Sequence, residues 1–347
     1  MQNLILYIKP FLTAFVLSVV FMCVLIAFSK RYNLFDRNGG RKKHVGKISR
    51  LGGLGIIVAF WLAIFLSGTL VFDELKIGLV ICSILILIFG LWDDLRNISW
   101  KKQIALQIFI ALVMIYFGLG VDYVANPFGG REFRLDTFYF FDFSVLGSFF
   151  VILWIVGFMN VVNWLDGLDG LAGGVGAIAS LTLFFLSISD LVNQPPLAIL
   201  AITFVGALLG FLVFNFYPAK IFMGTSGSMF LGFMLAVLAI FAGGKIATVF
   251  LVMGFPILDA VWVVYKRLHE GRSPFIGDRN HFHYYLFDKL GWSERRTVFS
   301  IYLLSAVLGF LSLIFQGIYK FMVLVILFII VIASTKKQIR KKGTIVG

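Results

Sequence analysis

The stretch IFMGTSGSMF, residues 221–230, leads into an apolar run at residues 227–243. Its glycine, serine and threonine residues contrast with the bulky apolar residues that dominate the chain. Apolar residues make up 60% and charged residues 14% of the 347 residues, whereas charged residues make up about a quarter of a soluble domain. The composition predicts a membrane protein, in which a turn of small, hydroxyl-bearing residues needs an explanation of its own.

Long apolar runs recur along the whole chain and predict one all-α, polytopic bundle that occupies residues 1–347. The runs are continuous rather than alternating, so they match membrane-spanning helices and not barrel strands. About eleven spans are predicted, at residues 5–28, 52–71, 77–92, 103–120, 144–162, 171–189, 197–215, 227–243, 246–265, 297–316 and 319–334.

The distribution of basic residues predicts the orientation of the bundle. With the N-terminus outside, the inner segments hold 24 of the 30 Lys and Arg residues, which is the positive-inside asymmetry of membrane proteins. The predicted topology is therefore N-out and C-in. Topology and anionic membrane lipid account for most of the net charge of +13, and nucleic acid is not a predicted partner. Five inner loops carry polar clusters, at residues 29–51, 92–102, 163–170, 216–226 and 266–296.

The outer side offers little chemistry. Its main feature is residues 121–143, where polar and aromatic residues partly alternate. This pattern predicts short strands or an interfacial segment.

Two adjacent carboxylates, Asp93 and Asp94, follow an uninterrupted apolar run. A single Asp at a span end often marks only the membrane interface. Two neighbouring carboxylates repel each other unless a cation or a proton compensates, so the pair favours metal binding or acid–base work. Lys101 and Lys102 follow and are candidates for holding phosphate, or they are topological anchors.

The stretch NVVNWLDGLDGLAGG, residues 160–174, is the richest in candidate ligands. Asn160 and Asn163 are spaced to share one face of a helix, Asp166 continues that face if the helix persists, and Asp169 follows three residues later. Asn and Asp oxygens suit Mg²⁺ and the hydroxyls of a ribose or a base. An ordinary inner loop is the alternative, but four polar residues in register favour a binding site.

Two further inner loops carry basic and histidine residues. His281 and His283 are two residues apart, which suits a strand or loop better than a zinc-binding helix, and no Cys or HExxH motif accompanies them. With Asp278 and Arg279 they favour contact with an anionic ligand, against the alternative of a solvated loop. The first inner loop carries Arg41, Lys42, Lys43 and His44, which bind phosphate or serve topology alone.

Together these clusters predict a site on the inner face with carboxylates and amides for Mg²⁺, basic residues for phosphates and membrane on one side. Phosphoryl transfer from a nucleotide-linked donor to a lipid acceptor fits that combination. No P-loop, GxGxxG or kinase motif competes with this interpretation.

The chain resembles the polyprenyl-phosphate N-acetylhexosamine-1-phosphate transferases, bacterial inner-membrane enzymes that start O-antigen, enterobacterial common antigen and teichoic acid synthesis. The resemblance runs from about residue 34 to 300. It rests on five motifs in family order, RKKHVGKISRLGG, DDLRNISWKK, NVVNWLDGLDGLA, FNFYPAKIFMG and DRNHFHYYL. The eleven-span, N-out topology is also that of the family.

The resemblance implies that a UDP-N-acetylhexosamine, most simply UDP-N-acetylglucosamine, donates its sugar-1-phosphate to undecaprenyl phosphate and releases UMP. The cofactor would be Mg²⁺, with Mn²⁺ as a substitute, and the active site would be cytoplasmic. Asp93 and Asp94 would be catalytic, with Asp94, Asn163 and the residue at position 225 at the metal. The implied donor-binding residues are Asn160, Asp166, Asp169, Arg279, His281 and His283, and the implied phosphate-binding residues are Lys43, His44 and Lys101.

The opening stretch departs from the family at one position. FMGTSGSMFLG is similar to the family's Met-Gly-Asp motif, whose Asp is a direct Mg²⁺ ligand, but this chain has Thr225 there. A neutral hydroxyl is a weaker ligand, so metal binding and chemistry are expected to be impaired. Tyr284 is a second departure, since the family commonly has a further His there.

Three explanations of Thr225 stay open. The chain is an inactive variant made to trap substrate, a divergent enzyme with another ligand set, or a non-catalytic relative that binds the lipid or the nucleotide-sugar. A lipid transporter is a different class, but transporters place polar residues at mid-membrane and often have internal repeats, and the chain shows neither pattern. Dimers are common for such bundles, and a homodimer stays open as well.

Overall fold

The computed structural model describes residues 2–35, 48–126, 128–190, 192–242, 246–273, 281–288, 290–327 and 329. Within these residues the chain is mainly helical, as the apolar runs predict. The helices are α1 (Gln2–Tyr32), α2 (Gly52–Ser67), α3 (Glu74–Arg96), α4 (Trp100–Tyr116), α5 (Val145–Leu165), α6 (Leu171–Ile188), α7 (Pro195–Asn215), α8 (Gly224–Phe241), α9 (Ile246–Val252), α10 (Gly254–His269), α11 (Phe282–Asp288), α12 (Glu294–Ile314) and α13 (Ile318–Leu327).

Seven of the described helices are long and apolar enough to cross a membrane, or eight if the bent pair α9–α10 counts as one span. This confirms the predicted class, a polytopic helical membrane protein. The predicted number of spans is not reached by length and composition, because α2, α4 and α13 are shorter than 18 residues. The count of eleven and the N-out, C-in orientation therefore stay predictions.

The span predicted at residues 246–265 is broken into two helices in the structure. The structure has two helices there, α9 and α10, with Met253 between them and a bend of 77°. Pro256 lies in the first turn of α10, where its missing N–H costs no helical hydrogen bond. The residues around Met253, from Val249 to Leu258, are apolar or glycine and proline, so the apolar pattern does not mark the position of the break.

The segment between α4 and α5 forms two small hairpins, as the alternating pattern predicts. Strands β1 (Tyr123–Val124) and β2 (Phe133–Arg134) pair antiparallel, and so do β3 (Tyr139–Phe140) and β4 (Phe143–Ser144). Ser144 then caps α5, because its hydroxyl accepts the N–H of Gly147 at 3.1 Å.

Helix α8 is the central element of the bundle. Nearly all its residues are buried, and it packs against α2, α3, α5, α6, α7 and α9. A helix that is apolar on every side is expected in such a position. The other helices therefore take their places relative to α8, which begins inside the stretch IFMGTSGSMF.

Small residues let the neighbouring helices approach α8 closely. A Cβ atom on Gly90 of α3 would overlap the backbone of Ser226, and one on Gly53 of α2 would lie 2.5 Å from the Ser226 hydroxyl. On the other side, a Cβ on Gly232 would lie 2.5 Å from the carbonyl oxygen of Phe158. Helices in lipid associate by such close packing, since lipid supplies no hydrophobic drive between them.

Hydrogen bonds join the polar loops at one end of the bundle. The N–H of Gly52 donates to Phe222 at 2.9 Å, and the N–H of Phe222 donates to Ser49 at 2.8 Å. The N–H of Gly170 donates to the Asn215 side chain at 3.0 Å. The loops around residues 49, 170 and 221, which are distant in sequence, are thereby joined directly.

We predict that Gly90→Ala destabilises the bundle, whereas Gly157→Ala does not. A methyl group on Gly90 would overlap the Ser226 backbone, and overpacking costs about 1–3 kcal/mol. A methyl group on Gly157 of α5 meets no atom within 4 Å. The measurement is the thermal unfolding midpoint of each variant in one detergent. Equal midpoints would show that the α3–α8 contact is not as tight as described.

Candidate active site

The acidic pair lies in the last turns of α3. Asp93 is buried, and its Oδ1 accepts two hydrogen bonds, from the N–H of Ile98 at 2.9 Å and from Nε2 of Gln103 at 2.9 Å. Asn97 has a φ of 48° and ends the helix, and this turn brings the backbone of Ile98 back to Asp93. Asp93 is thus held in one orientation by its own loop and by α4.

Thr225 lies between the two carboxylates. Its hydroxyl donates to Oδ2 of Asp93 at 2.7 Å. Its backbone N–H lies 2.9 Å and 3.0 Å from the two carboxylate oxygens of Asp94. The departure from the family motif therefore occurs at a residue that contacts both Asp side chains.

Gly224 makes this contact possible. Its φ is +72°, which favours glycine, and a Cβ there would lie 2.6 Å from Oδ2 of Asp94. The first turn of α8 is consequently turned towards the carboxylates. The partial positive charge of that helix end and the charge of Arg50 both act on Asp94.

The donors around Asp93 are all uncharged: a backbone N–H, an amide and a hydroxyl. Its neighbour Asp94 receives backbone N–H groups of α8 instead. The two carboxylates share Thr225 but have otherwise separate partners. The two carboxylates are therefore held side by side by different sets of donors.

The two asparagines of α5 reach different parts of the site. Oδ1 of Asn163 accepts the Ser228 hydroxyl at 3.1 Å, and Ser228 also lies 3.3 Å from the carbonyl oxygen of Thr225. Asn163 is therefore beside the acidic pair. Asn160 is one turn deeper, where its Nδ2 donates to Oε1 of Gln107 at 2.6 Å.

The helix face that carries Asn160 and Asn163 is predicted to continue to Asp166 if the helix persists, but the helix ends one residue before Asp166. Helix α5 ends at Leu165, and Asp166 is its C-terminal cap residue. Oδ2 of Asp169 accepts a hydrogen bond from the N–H of Ala219 at 2.9 Å, so Asp169 also holds the loop before α8 in place. Whether Asp166 and Asp169 contact a nucleotide stays a prediction.

The histidine motif is helical, contrary to the expectation of a strand or loop. His281 immediately precedes α11 and His283 lies within it, and both side chains are buried. Their rings stack, with centroids 5.6 Å apart and planes 9° apart. Tyr284, the second departure from the family, donates its hydroxyl to the carbonyl oxygen of Gly167 at 3.3 Å. The motif is thereby placed against the loop that carries Asp166.

Four of the predicted site residues cannot be assigned to the site from the structure. Lys43, His44 and Arg279 lie outside the described residues. Lys101 is exposed and its ammonium group lies over the ring of Trp100, 5.7 Å from the centroid. The α4 residue that contacts Asp93 is Gln103.

Sequence reasoning missed three polar residues inside apolar segments, Gln103, Gln107 and Asp259. Gln107 and Asp259 are buried, and all three hydrogen bond to predicted site residues. The available signal was their position, because polar residues within a membrane helix are costly and usually functional. Their partners could not be read from spacing, since the partners lie on other helices.

The chemistry of these side chains fits Mg²⁺ with fewer carboxylates than the family motif implies. Among the described residues no group of three His, Cys, Asp or Glu side chains is placed to hold a metal ion. Oxygen atoms of Asp93, Asp94, Asn163 and Thr225 nevertheless gather at the start of α8. Mg²⁺ typically takes one or two carboxylates together with substrate phosphates and water, and such a set is present.

The chain matches the family model for glycosyl transferase family 4 over residues 76–243. This range includes the acidic pair, the two asparagines, the following aspartates and Thr225. It ends before the histidine motif.

Several curated proteins are similar over most of their length. A probable undecaprenyl-phosphate N-acetylglucosaminyl 1-phosphate transferase of Bacillus subtilis is 28% identical over 330 residues, which cover 92% of this chain and 88% of the relative. An undecaprenyl-phosphate alpha-N-acetylglucosaminyl 1-phosphate transferase of Thermotoga maritima is 30% identical over 311 residues, 89% of this chain and 92% of the relative. A phospho-N-acetylmuramoyl-pentapeptide-transferase of Bacillus licheniformis is 32% identical over 319 residues, 85% of this chain and 94% of the relative.

These matches agree with the five sequence motifs and with a helical bundle whose polar loops meet at one end. The chain therefore belongs to glycosyl transferase family 4, among the polyprenyl-phosphate N-acetylhexosamine-1-phosphate transferases.

Proposed function

We propose that this protein transfers N-acetylhexosamine-1-phosphate from a UDP-sugar to undecaprenyl phosphate and releases UMP. The observation that carries the proposal is the meeting of Asp93, Asp94 and position 225 at the start of α8. Relatives named for transfer to a polyprenyl phosphate support it. We place the reaction at the cytoplasmic face of a bacterial inner membrane, where the basic loops are expected.

The reaction is a displacement at phosphorus. An oxygen of the lipid phosphate attacks the sugar-bearing phosphorus, a new P–O bond forms, and the bond to the UMP oxygen breaks. Oδ1 of Asp93 accepts hydrogen bonds from Ile98 and Gln103, and Oδ2 accepts the Thr225 hydroxyl, so Oδ2 can orient or deprotonate the lipid phosphate only once that hydroxyl is displaced. Asp94 holds the first turn of α8 beside it.

The residues that would hold Mg²⁺ are Asp94, Asn163 and, as a neutral ligand, Thr225. Bound Mg²⁺ would neutralise charge on the diphosphate and favour departure of UMP. Mn²⁺ has similar oxygen preferences and is a substitute.

The donor is proposed to lie between the acidic pair and the histidine motif. Its candidate contacts are Asn160, Asp166, Asp169, Arg279, His281 and His283, and its phosphates and the lipid phosphate would meet Lys43, His44 and Lys101. The loop at Gly167 brings Asp166 beside His283 and Tyr284, which supports a shared binding region.

We propose N-acetylglucosamine-1-phosphate as the transferred group. Relatives named for muramoyl-pentapeptide transfer are equally similar in sequence, so identity does not choose between donors. The choice rests on the histidine motif, where Tyr284 is buried against Gly167 and interrupts any run of histidines. A role in starting an O-antigen or teichoic acid type polysaccharide and assembly as a homodimer remain expectations.

A non-catalytic relative that binds lipid or nucleotide-sugar is the second candidate. It is favoured by the hydrogen bond from Thr225 to Asp93, because that hydroxyl occupies the oxygen that the reaction needs. Turnover that depends on Mg²⁺ separates this candidate from the enzyme.

We predict that Thr225→Asp raises Mg²⁺-dependent UMP release by at least about 100-fold. A carboxylate at this position adds a charged metal ligand and removes the hydroxyl from Asp93, and about 2.7 kcal/mol of barrier corresponds to this factor. The measurement is UMP release from UDP-N-acetylglucosamine and undecaprenyl phosphate, with Mg²⁺ or with a chelator, for both proteins.

Each result of that assay is informative. Equal, chelator-sensitive activity in both proteins would show that the metal site is complete without a carboxylate at position 225. If neither protein releases UMP, with UDP-N-acetylmuramoyl-pentapeptide tested as well, the transferase proposal is wrong and the binding protein is favoured.

We predict that Asp93→Asn in the Thr225→Asp background abolishes UMP release without unfolding the protein. The amide keeps the shape of the side chain but cannot accept a proton from the lipid phosphate. Asp142→Asn, in the exposed turn between β3 and β4, is the matched control and should retain full activity. Retention of activity by Asp93→Asn would assign the proton transfer to another group.

We further predict that Gln103→Leu lowers kcat about 10-fold, since it removes a hydrogen bond to the Asp93 carboxylate. Lys101→Met, which removes an exposed ammonium group from the same helix turn, should instead raise the KM for undecaprenyl phosphate and leave kcat nearly unchanged. Steady-state kinetics in the Thr225→Asp background distinguishes the two. If instead Lys101→Met lowered kcat and Gln103→Leu raised the KM for undecaprenyl phosphate, Lys101 and not Gln103 would act on Asp93.

A further inference from the structure

A buried carboxylate from α10 holds the first histidine of the motif. Asp259 is 7% exposed, and its Oδ2 lies 2.9 Å from Nδ1 of His281. Its Oδ1 accepts the N–H of Phe282, the first residue of α11, at 2.8 Å. Asp259 therefore makes one contact to the ring and one to the backbone beside it.

This geometry determines which ring nitrogen of His281 points away from Asp259. An ionised carboxylate only accepts hydrogen bonds, so Nδ1 must carry a proton. The remaining nitrogen, Nε2, is buried and has no hydrogen-bond partner among the described residues. A buried polar atom without a partner is costly and calls for a ligand or a further group.

The ring cannot turn freely. It lies between the indole of Trp164, with centroids 6.2 Å apart, and the ring of His283, with centroids 5.6 Å apart. Trp164 follows Asn163 directly at the end of α5, and the guanidinium of Arg267 lies over its ring at 5.8 Å. His281 is therefore fixed at the border of the proposed donor region.

We propose that Asp259 is a positioning residue, which fixes the tautomer and orientation of His281 so that Nε2 contacts the UDP-sugar. The inference rests on the proposed function, because the donor defines the ligand of Nε2. A neutral ring would accept a hydrogen bond from a sugar hydroxyl, and a charged ring would donate one to a phosphate oxygen. Asp259 itself does not touch the donor.

Asp259→Asn separates this role from a merely structural one. The amide oxygen can still accept the N–H of Phe282, so the start of α11 is preserved. The amide NH₂ group would instead donate to Nδ1 of His281, which moves the ring proton to Nε2. The variant thus keeps the shape of the contact and reverses the tautomer.

The first measurement is ¹⁵N NMR of histidine-labelled protein in lipid nanodiscs. The chain has only four histidines, His44, His269, His281 and His283, and His281→Gln identifies the signals of His281 by their loss. We expect Nδ1 of His281 to be protonated in the unmodified protein and unprotonated in Asp259→Asn. An unprotonated Nδ1 in the unmodified protein overturns the proposal, whether or not the protein is an enzyme.

The second measurement is a titration of the same samples with UDP-N-acetylglucosamine. We expect the Nε2 signal of His281 to shift in the unmodified protein, and the affinity of Asp259→Asn to be about 10- to 100-fold lower, as for loss of a buried hydrogen bond. Asp73→Asn is the matched control, because Asp73 caps the opposite end of α3 and Asn is an equally good cap. In the Thr225→Asp background the KM for the donor should rise in parallel.

Donor binding that shifts other histidine signals but not His281 overturns the contact with Nε2. If Asp259→Asn does not fold, the titration of the unmodified protein still decides. If the donor does not bind at all, both the proposed function and the proposed contact between the donor and Nε2 are wrong. The tautomer of His281 measured without ligand still tests the role of Asp259.

Discussion

The structure depends on one contact, where the C-terminal end of α3 meets the N-terminal end of α8. Gly90 allows the two backbones to touch at Ser226, and one turn later Asp94 accepts the backbone N–H of Thr225. In a membrane neither helix gains from hydrophobic burial against the other, so close packing and hydrogen bonds must hold them. Because α8 packs against six other helices of the described residues, this contact places the acidic pair relative to the centre of the bundle.

The same contact explains why fold and site are difficult to separate in this protein. Position 225 is both a residue of the packed helix end and the neighbour of two carboxylates. Threonine satisfies the packing and the hydrogen bonding there without a metal ion, since its hydroxyl donates to Asp93. A carboxylate at the same position would face two others and would need a cation to compensate. Position 225 therefore belongs to the packing of the helix end and to the chemistry of the acidic pair at the same time.

The bend between α9 and α10 and the short helix α11 form the other half of the site. Helix α10 carries Asp259 to the beginning of α11, and the stacked histidines are then held against the loop at Gly167. The acidic pair and the histidine motif thus lie on opposite sides of the α5 end, which contributes Asn163 to one and Trp164 to the other.

The amino-acid sequence was sufficient to predict the class of protein, the approximate positions of the helices and the meeting of polar loops at one end of the bundle. The length of apolar runs and the distribution of basic residues can both be read directly from the sequence. It was also sufficient to single out Thr225, since the family that the chain resembles has Asp at this position of the motif. The break at Met253, the end of α5 before Asp166 and the helix that begins at Phe282 required the tertiary structure, because each depends on contacts with other parts of the bundle. The same holds for Gln103, Gln107 and Asp259: each was visible as a polar residue in an apolar run, but its partner lies on another helix. Hydrogen bonds between helices depend on how the helices pack, and packing is decided by the bundle as a whole.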